Sequence, residues 1–212
     1  MAYVKQINAK IEEIKQDNMK EYTQTFESKE DKPFAYGFCF TKLFYLFVIG
    51  SFIGTILETI WAFCVDGHFE MRVGMVYGPF IPVYGGGACF LTAALYKLYK
   101  LNDTLVFVIS AFVASSKNLI WGFLGLVWVR YLYPWTAKLI EKIPKRAGAI
   151  ITTFLIVFMA FNGFMSVTAT ARWTQRTEGV PASNSFEEYL DEKFDNEKME
   201  FLFPGMKKAA EA

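Results

Sequence analysis

One histidine and three cysteines in 212 residues leave little material for metal or nucleophilic chemistry. His68 stands alone, and Cys39, Cys64 and Cys89 lie in or beside apolar runs without CxxC spacing. They read as buried thiols, neither a metal set nor a disulfide framework. Neither sign of charge dominates: 22 basic against 21 acidic residues give a net charge of +1, which argues against a nucleic-acid partner held by a basic surface. No GxxxxGK[ST] run occurs, so the chain does not itself cradle ATP in a P-loop. The first 42 residues are polar and mixed in charge, without the pattern of a cleavable leader. The first apolar run is therefore expected to be its own membrane-targeting signal. No cofactor or metal is called for. A membrane enzyme is disfavoured, because the sole histidine falls outside the apolar runs.

What the chain does have is apolar length. Hydrophobic residues make up 53% of it, and the charges crowd both ends. Leu43 to Val65 is a first span, long enough at about 1.5 Å per residue to cross about 30 Å of hydrocarbon. Within it Gly50 and Gly54 form a GxxxG pair that lets another backbone approach, and Glu58 falls on the same helical face. An acid at that depth is costly unless paired, protonated or wetted, and is a candidate for function. Residues 66–76, with Asp66, His68, Glu70 and Arg72, read as a solvated connection without metal-site spacing. Arg72 either pairs with Glu58, holds an anionic group, or snorkels to the interface.

Val73 to Ala88, VGMVYGPFIPVYGGGA, is the stretch around which the rest is organised. Glycine and proline interrupt the backbone between two apolar runs. At membrane depth such backbone survives only when buried in protein or lining a wet cavity. Tyr77, Gly78, Pro79, Pro82, Tyr84 and Gly85 are its candidate site residues. Pro79 and Pro82 disfavour a regular helix at the start of the second span, which is clean from Ala88 to about Tyr99. Either a half-helix beginning near Gly85 aims its N–H groups at an anion, or the break is an interfacial turn that positions two helices.

Thr104 to Tyr133 is too long for one comfortable span, with Lys117 and Asn118 in its middle. One tilted helix with Lys117 facing protein, or a re-entrant hairpin with Lys117 at its tip, both fit. A basic juxtamembrane helix follows from Pro134 to Arg146, then a last span from Gly148 to about Thr170, broken mildly at Asn162 and Gly163. At the N-terminus Val4, Ile7, Ile11 and Ile14 mark one helical stripe on an otherwise solvated arm. In the tail, Ser185 with Glu188 has capping-box spacing, and Asp195 caps a turn containing Met199 and Leu202 that Pro204 ends. Lys42, Lys97/Lys100 and Lys138 to Arg146 all favour the cytoplasm. The last two agree only if the segment between them crosses the membrane twice or not at all.

The run FEMRVGMVYGPFIPVYGGGA, together with WGFLGLVWVRYLYP, KLIEKIPKR, TQRTEGVPASNSFEEYLDEKF and FPGM in that order, resembles the bacterial membrane family labelled ABC-transporter type IV permease. The likeness covers roughly residues 38–208. An acidic, aromatic segment usual in that family is missing around Ser116 and Lys117, so the chain looks like a shortened member.

The expectation is an all-α polytopic membrane protein with about four transmembrane helices and a broken helix start near 77–87. It has a polar arm over 1–42, a membrane domain over 43–172 and a polar tail with short helices over 173–212. The resemblance implies a permease-like transporter component in the cell membrane, passing a small solute and working with a separate ATPase subunit. Four or so spans are few for a pathway, so lipid and further copies of the same chain are the other expected partners. The alternative is a non-transporting scaffold or regulatory subunit that holds a partner protein.

Overall fold

A computed structural model describes residues 2–23, 32–67, 69–114, 123, 125–204 and 206. Among them the chain is all-helical, with eight α-helices and no strand. These are α1 (Ala2–Thr23), α2 (Phe40–Asp66), α3 (Pro82–Leu95), α4 (Asp103–Ala114), α5 (Tyr133–Glu141), α6 (Lys145–Thr177), α7 (Ser185–Lys193) and α8 (Asn196–Leu202). A tight 3-10 turn, Tyr96–Lys100, extends α3, and a wide π-type turn, Trp128–Leu132, leads into α5. Two helices are long and apolar enough to cross a membrane, Phe40–Val65 and Lys145–Thr177. Only 28% and 22% of their apolar windows are buried within the chain, as helices facing lipid or neighbours require. α3 and α4 have 14 and 12 residues, about 21 and 18 Å of helix. Neither is among the helices long and apolar enough to cross a membrane, so the count of four spans is not confirmed among the described residues.

The chain divides into two compact units. The first joins Met1–Leu46 to Gly87–Ile151. Its core packs Tyr22, Leu46, Tyr133 and Ala137 with Tyr96 and Tyr99 at their edge, and the Tyr22 and Tyr99 rings stack at 4.4 Å. The wide turn before α5 breaks the regular helical ladder, and its carbonyls take donors from α1 instead. Tyr22 Oη donates to the Val129 carbonyl at 2.7 Å and Asn18 Nδ2 to that of Arg130 at 2.9 Å. The second half of α1 is thus docked, correcting the expectation of a solvated arm there. Its stripe of Val4, Ile7, Ile11 and Ile14 remains exposed.

The first unit also bears on the two readings of residues 104–133. Arg130 Nε donates to Asp103 at 2.9 Å across 27 residues of chain, which one straight helix would hold about 40 Å apart. Arg130 further donates to the Tyr99 and Leu101 carbonyls, and Lys15 of α1 pairs with Asp103. Gly125 lies against Ser110 so closely that a side chain there would collide with it. The two described ends of the segment therefore lie side by side, which one straight helix does not allow. The expectation for Lys117 and Asn118 falls on residues outside those described. Lys42, Lys97, Lys100 and the Lys138–Arg146 run all fall in this unit, and Lys42 is buried in an ion pair with Glu141.

The second unit joins Phe47–Gly86 to Thr152–Ala212. α6 continues unbroken across residue 172, where the tail was expected to begin. Its last turns carry the core of Val76, Met165, Ala169, Trp173, Leu190, Phe194 and Met199, so α7 and α8 are packed onto α6 instead of trailing as a polar tail. α7 starts one residue earlier than the Ser185 box implies. Asn184 is its cap, accepting from the Phe186 and Glu187 amides, while Glu187 reaches back to Ser183. Asp195 caps α8 as expected, accepting from Lys198 N at 2.8 Å.

Candidate functional site

The glycine- and proline-rich stretch lies in the second unit, and its geometry follows from where its backbone hydrogen bonds go. Residues 69–81 are non-helical. Gly74 N donates to the Phe80 carbonyl at 2.9 Å, closing a loop whose far side is Gly78 at φ +79°, a conformation that favours glycine. Pro79 follows it, half-buried, and Phe80 places its ring between Phe52 and Phe158. Ile81 N then donates to the Ser51 carbonyl of α2 at 3.0 Å. α3 begins at Pro82, where the missing N–H costs nothing because the first helical residue needs no donor. The break expected over 77–87 therefore ends at Ile81, and Gly85, Gly86 and Gly87 are helical. The half-helix starts at Pro82, not Gly85.

From there α3 lies directly on α2. A side chain at Gly85 would collide with the Phe47 carbonyl and the Ser51 hydroxyl, and one at Gly54 with the Tyr84 ring. Phe47, Ser51, Gly54 and Glu58 recur at helical spacing, so one face of α2 receives the first turns of α3. At the end of that face the Tyr84 hydroxyl donates to the Glu58 carboxylate. Gly54, Glu58, Tyr84 and Gly85 are thus brought together; Gly50 lies one turn before Gly54 on the same helix. Arg72 is not placed as a partner of Glu58. Its guanidinium donates to Glu70 at 2.8 Å and its backbone amide to Thr59 Oγ1 at 3.3 Å.

The other side of the stretch is held by α6, through residues that the sequence reading treated only as a mild break. Asn162 is fully buried. Its Oδ1 accepts from Tyr77 N at 3.0 Å and its Nδ2 donates to the Tyr77 carbonyl at 2.5 Å. One turn on, Ser166 Oγ accepts from Val76 N at 2.9 Å. Two polar residues four apart in an apolar run were the available signal: their shared face has to meet something polar. The Tyr77 ring packs on Phe161 and on Phe194 of the tail.

The tail is fastened by charge. Arg172 donates twice to Asp191, at 2.9 and 2.7 Å, and Arg176 donates to Asp191 at 2.6 Å and to the Phe194 carbonyl at 2.9 Å. These bonds, Arg172 first, hold the Asp191 carboxyl below the usual aspartate range. The Ser183 amide and hydroxyl hold Glu187 low in the same way. A cavity of about 230 Å³ beside this cap is lined by Phe69, Glu70, Met71, Glu200, Phe201 and Pro204.

A family model described as Putative ABC-transporter type IV matches residues 45–118 and 113–167. The chain belongs to this family. No curated protein and no solved structure matches. The matched residues run from α2 through the glycine- and proline-rich stretch to Val167, taking in Glu58, Tyr84 and Asn162 and leaving out α1 and the α7–α8 cap. The two matched pieces meet at residues 113–118, around the expected shortening. Family and apolar helices together point to a membrane location and a transporter-related role.

Proposed function

We propose that the chain is the membrane subunit of a transporter for a small solute, with Glu58 and Tyr84 as the polar group of its pathway. The observation that carries this is an acid bonded to a tyrosine on an otherwise apolar helix pair, beside non-helical backbone at residues 69–81. Ionisable groups inside a span are expensive and are retained where something polar must pass or bind. The basic segments of the first unit face the cytoplasm in this reading, because lysine and arginine accumulate on that side. A return of the chain between Lys100 and Lys138, supported by the Arg130–Asp103 bond, brings both to one side in this reading. The chain is multi-pass, lies in the cell membrane, and completes its pathway with further copies of itself and a separate ATPase subunit on the cytoplasmic side.

Reconstitution of the full chain with its co-purified ATPase tests this. Glu58→Gln keeps an acceptor for Tyr84 and removes the charge, so flux is expected to fall at least tenfold with the fold intact. Unchanged flux for Glu58→Gln across the solutes that the wild type carries would end the pathway reading. A scaffold is the second reading, favoured by how completely protein atoms fill the spaces at Gly54 and Gly85. It expects partner capture to survive Glu58→Gln and no flux in either protein.

A further inference from the structure

α5 has two unlike faces. Tyr133, Pro134, Thr136, Ala137 and Ile140 are buried, while Leu132, Trp135 and Leu139, at three- and four-residue steps on the opposite side, are exposed, Trp135 to 56%. Lys142 continues that face, and Arg146 follows at the start of α6; both are exposed. Glu141, the acid of this segment, is occupied by Lys42, and Asp17 of α1 lies on Lys138. The place of α5 is fixed by covalent and ionic ties. Only residues 142–144 separate it from α6, and Lys42 lies in the first turn of α2. Both candidate spans therefore start at the C-terminal end of α5, which in the membrane reading proposed above puts α5 where hydrocarbon gives way to water.

We propose that this face of α5 is a binding surface for anionic phospholipid headgroups. Tryptophan favours that boundary because its ring is apolar and its N–H is not. Leu132 and Leu139 add apolar area that enters the upper acyl region. Lys142 and Arg146 meet the lipid phosphates, and among the described residues no acid pairs with either. The same face on a soluble protein would call for a protein partner. Here the two flanking spans deliver it to the bilayer surface.

The test uses the full chain in vesicles of phosphatidylcholine, with and without phosphatidylglycerol. Brominated lipid is expected to quench the component of tryptophan emission that Trp135→Phe removes. Substituting Lys142→Gln and Arg146→Gln is expected to lower the preference for phosphatidylglycerol by about fivefold per charge. The inner face of α5 is untouched by all three changes, and an unchanged unfolding midpoint checks this. Equal affinity of the wild type for both lipids would overturn the proposal. So would a Trp135 shielded from the lipid quencher, as burial against a second copy would give. Neither readout depends on flux, so a failed transport assay leaves the proposal standing.

Discussion

The Asn162 side chain and the Tyr77 peptide clasp one another, one bond in each direction, across 85 residues of chain. Side-chain amides pair with a peptide in this way because each offers one donor and one acceptor in a plane. The clasp gives the non-helical stretch a partner for the backbone groups that a helix would have satisfied internally.

Replacing Asn162 with Ala leaves both Tyr77 groups unpaired inside the protein. A loss of about 2–6 kcal/mol is expected, at about 1–3 kcal/mol for each orphaned group. Chemical unfolding in mild detergent measures it, and a midpoint equal to the wild type would remove Asn162 from the scaffold of the site.

Two neighbouring glycines of α3 separate close packing from helix propensity. Gly85→Ala forces a methyl into the Phe47 carbonyl and Ser51 hydroxyl and is expected to cost about 1–3 kcal/mol. Gly86 has open space at the same point, so Gly86→Ala is expected to be neutral or to stabilise by up to about 1 kcal/mol. Thermal scans of the pair give opposite signs if α3 docks as described.

Fastening of the α7–α8 cap depends on pH in one direction. The Asp191 carboxyl has a folded pKa below its ordinary 3.8. Its contribution is therefore fully present above 3.8 and is lost as pH falls through the lower, folded value. Protease protection of residues 183–203 is expected to hold at pH 5 to 7 and fail in stronger acid. Asp191→Asn should weaken protection at neutral pH and flatten the acid dependence. A cap equally protected in Asp191→Asn would mean that the apolar core alone holds it.

The return of Arg130 to Asp103 predicts sidedness. Single cysteines at the exposed positions Asn102 and Lys142, in a background without Cys39, Cys64 and Cys89, are expected to react with an impermeant reagent from the same side. Labelling from opposite sides would restore the single tilted crossing.

Helix class, the two long apolar helices and the interruption before Pro82 were legible in the sequence because each rests on a local rule. Apolar length marks a span, and glycine with proline marks interrupted backbone. Gly54 and Glu58 were readable as one face because helical spacing places them there whatever they meet. Arg72 as a partner for Glu58 was not borne out. Among the described residues its guanidinium is on Glu70, which is nearer to it along the loop than Glu58 is.

By itself, then, the sequence determined that the chain is helical, apolar in the middle, and interrupted before Pro82. Only the tertiary structure decided that Arg130 returns to Asp103, that Tyr84 is the partner of Glu58, and that Asn162 and the cap hold the interrupted stretch in place. Periodicity and capping act within a few residues, so they can be read along the chain. The partner of a freed backbone group is whichever donor or acceptor packing brings within hydrogen-bond reach, and here that packing joins residues as far apart as Tyr77 and Asn162.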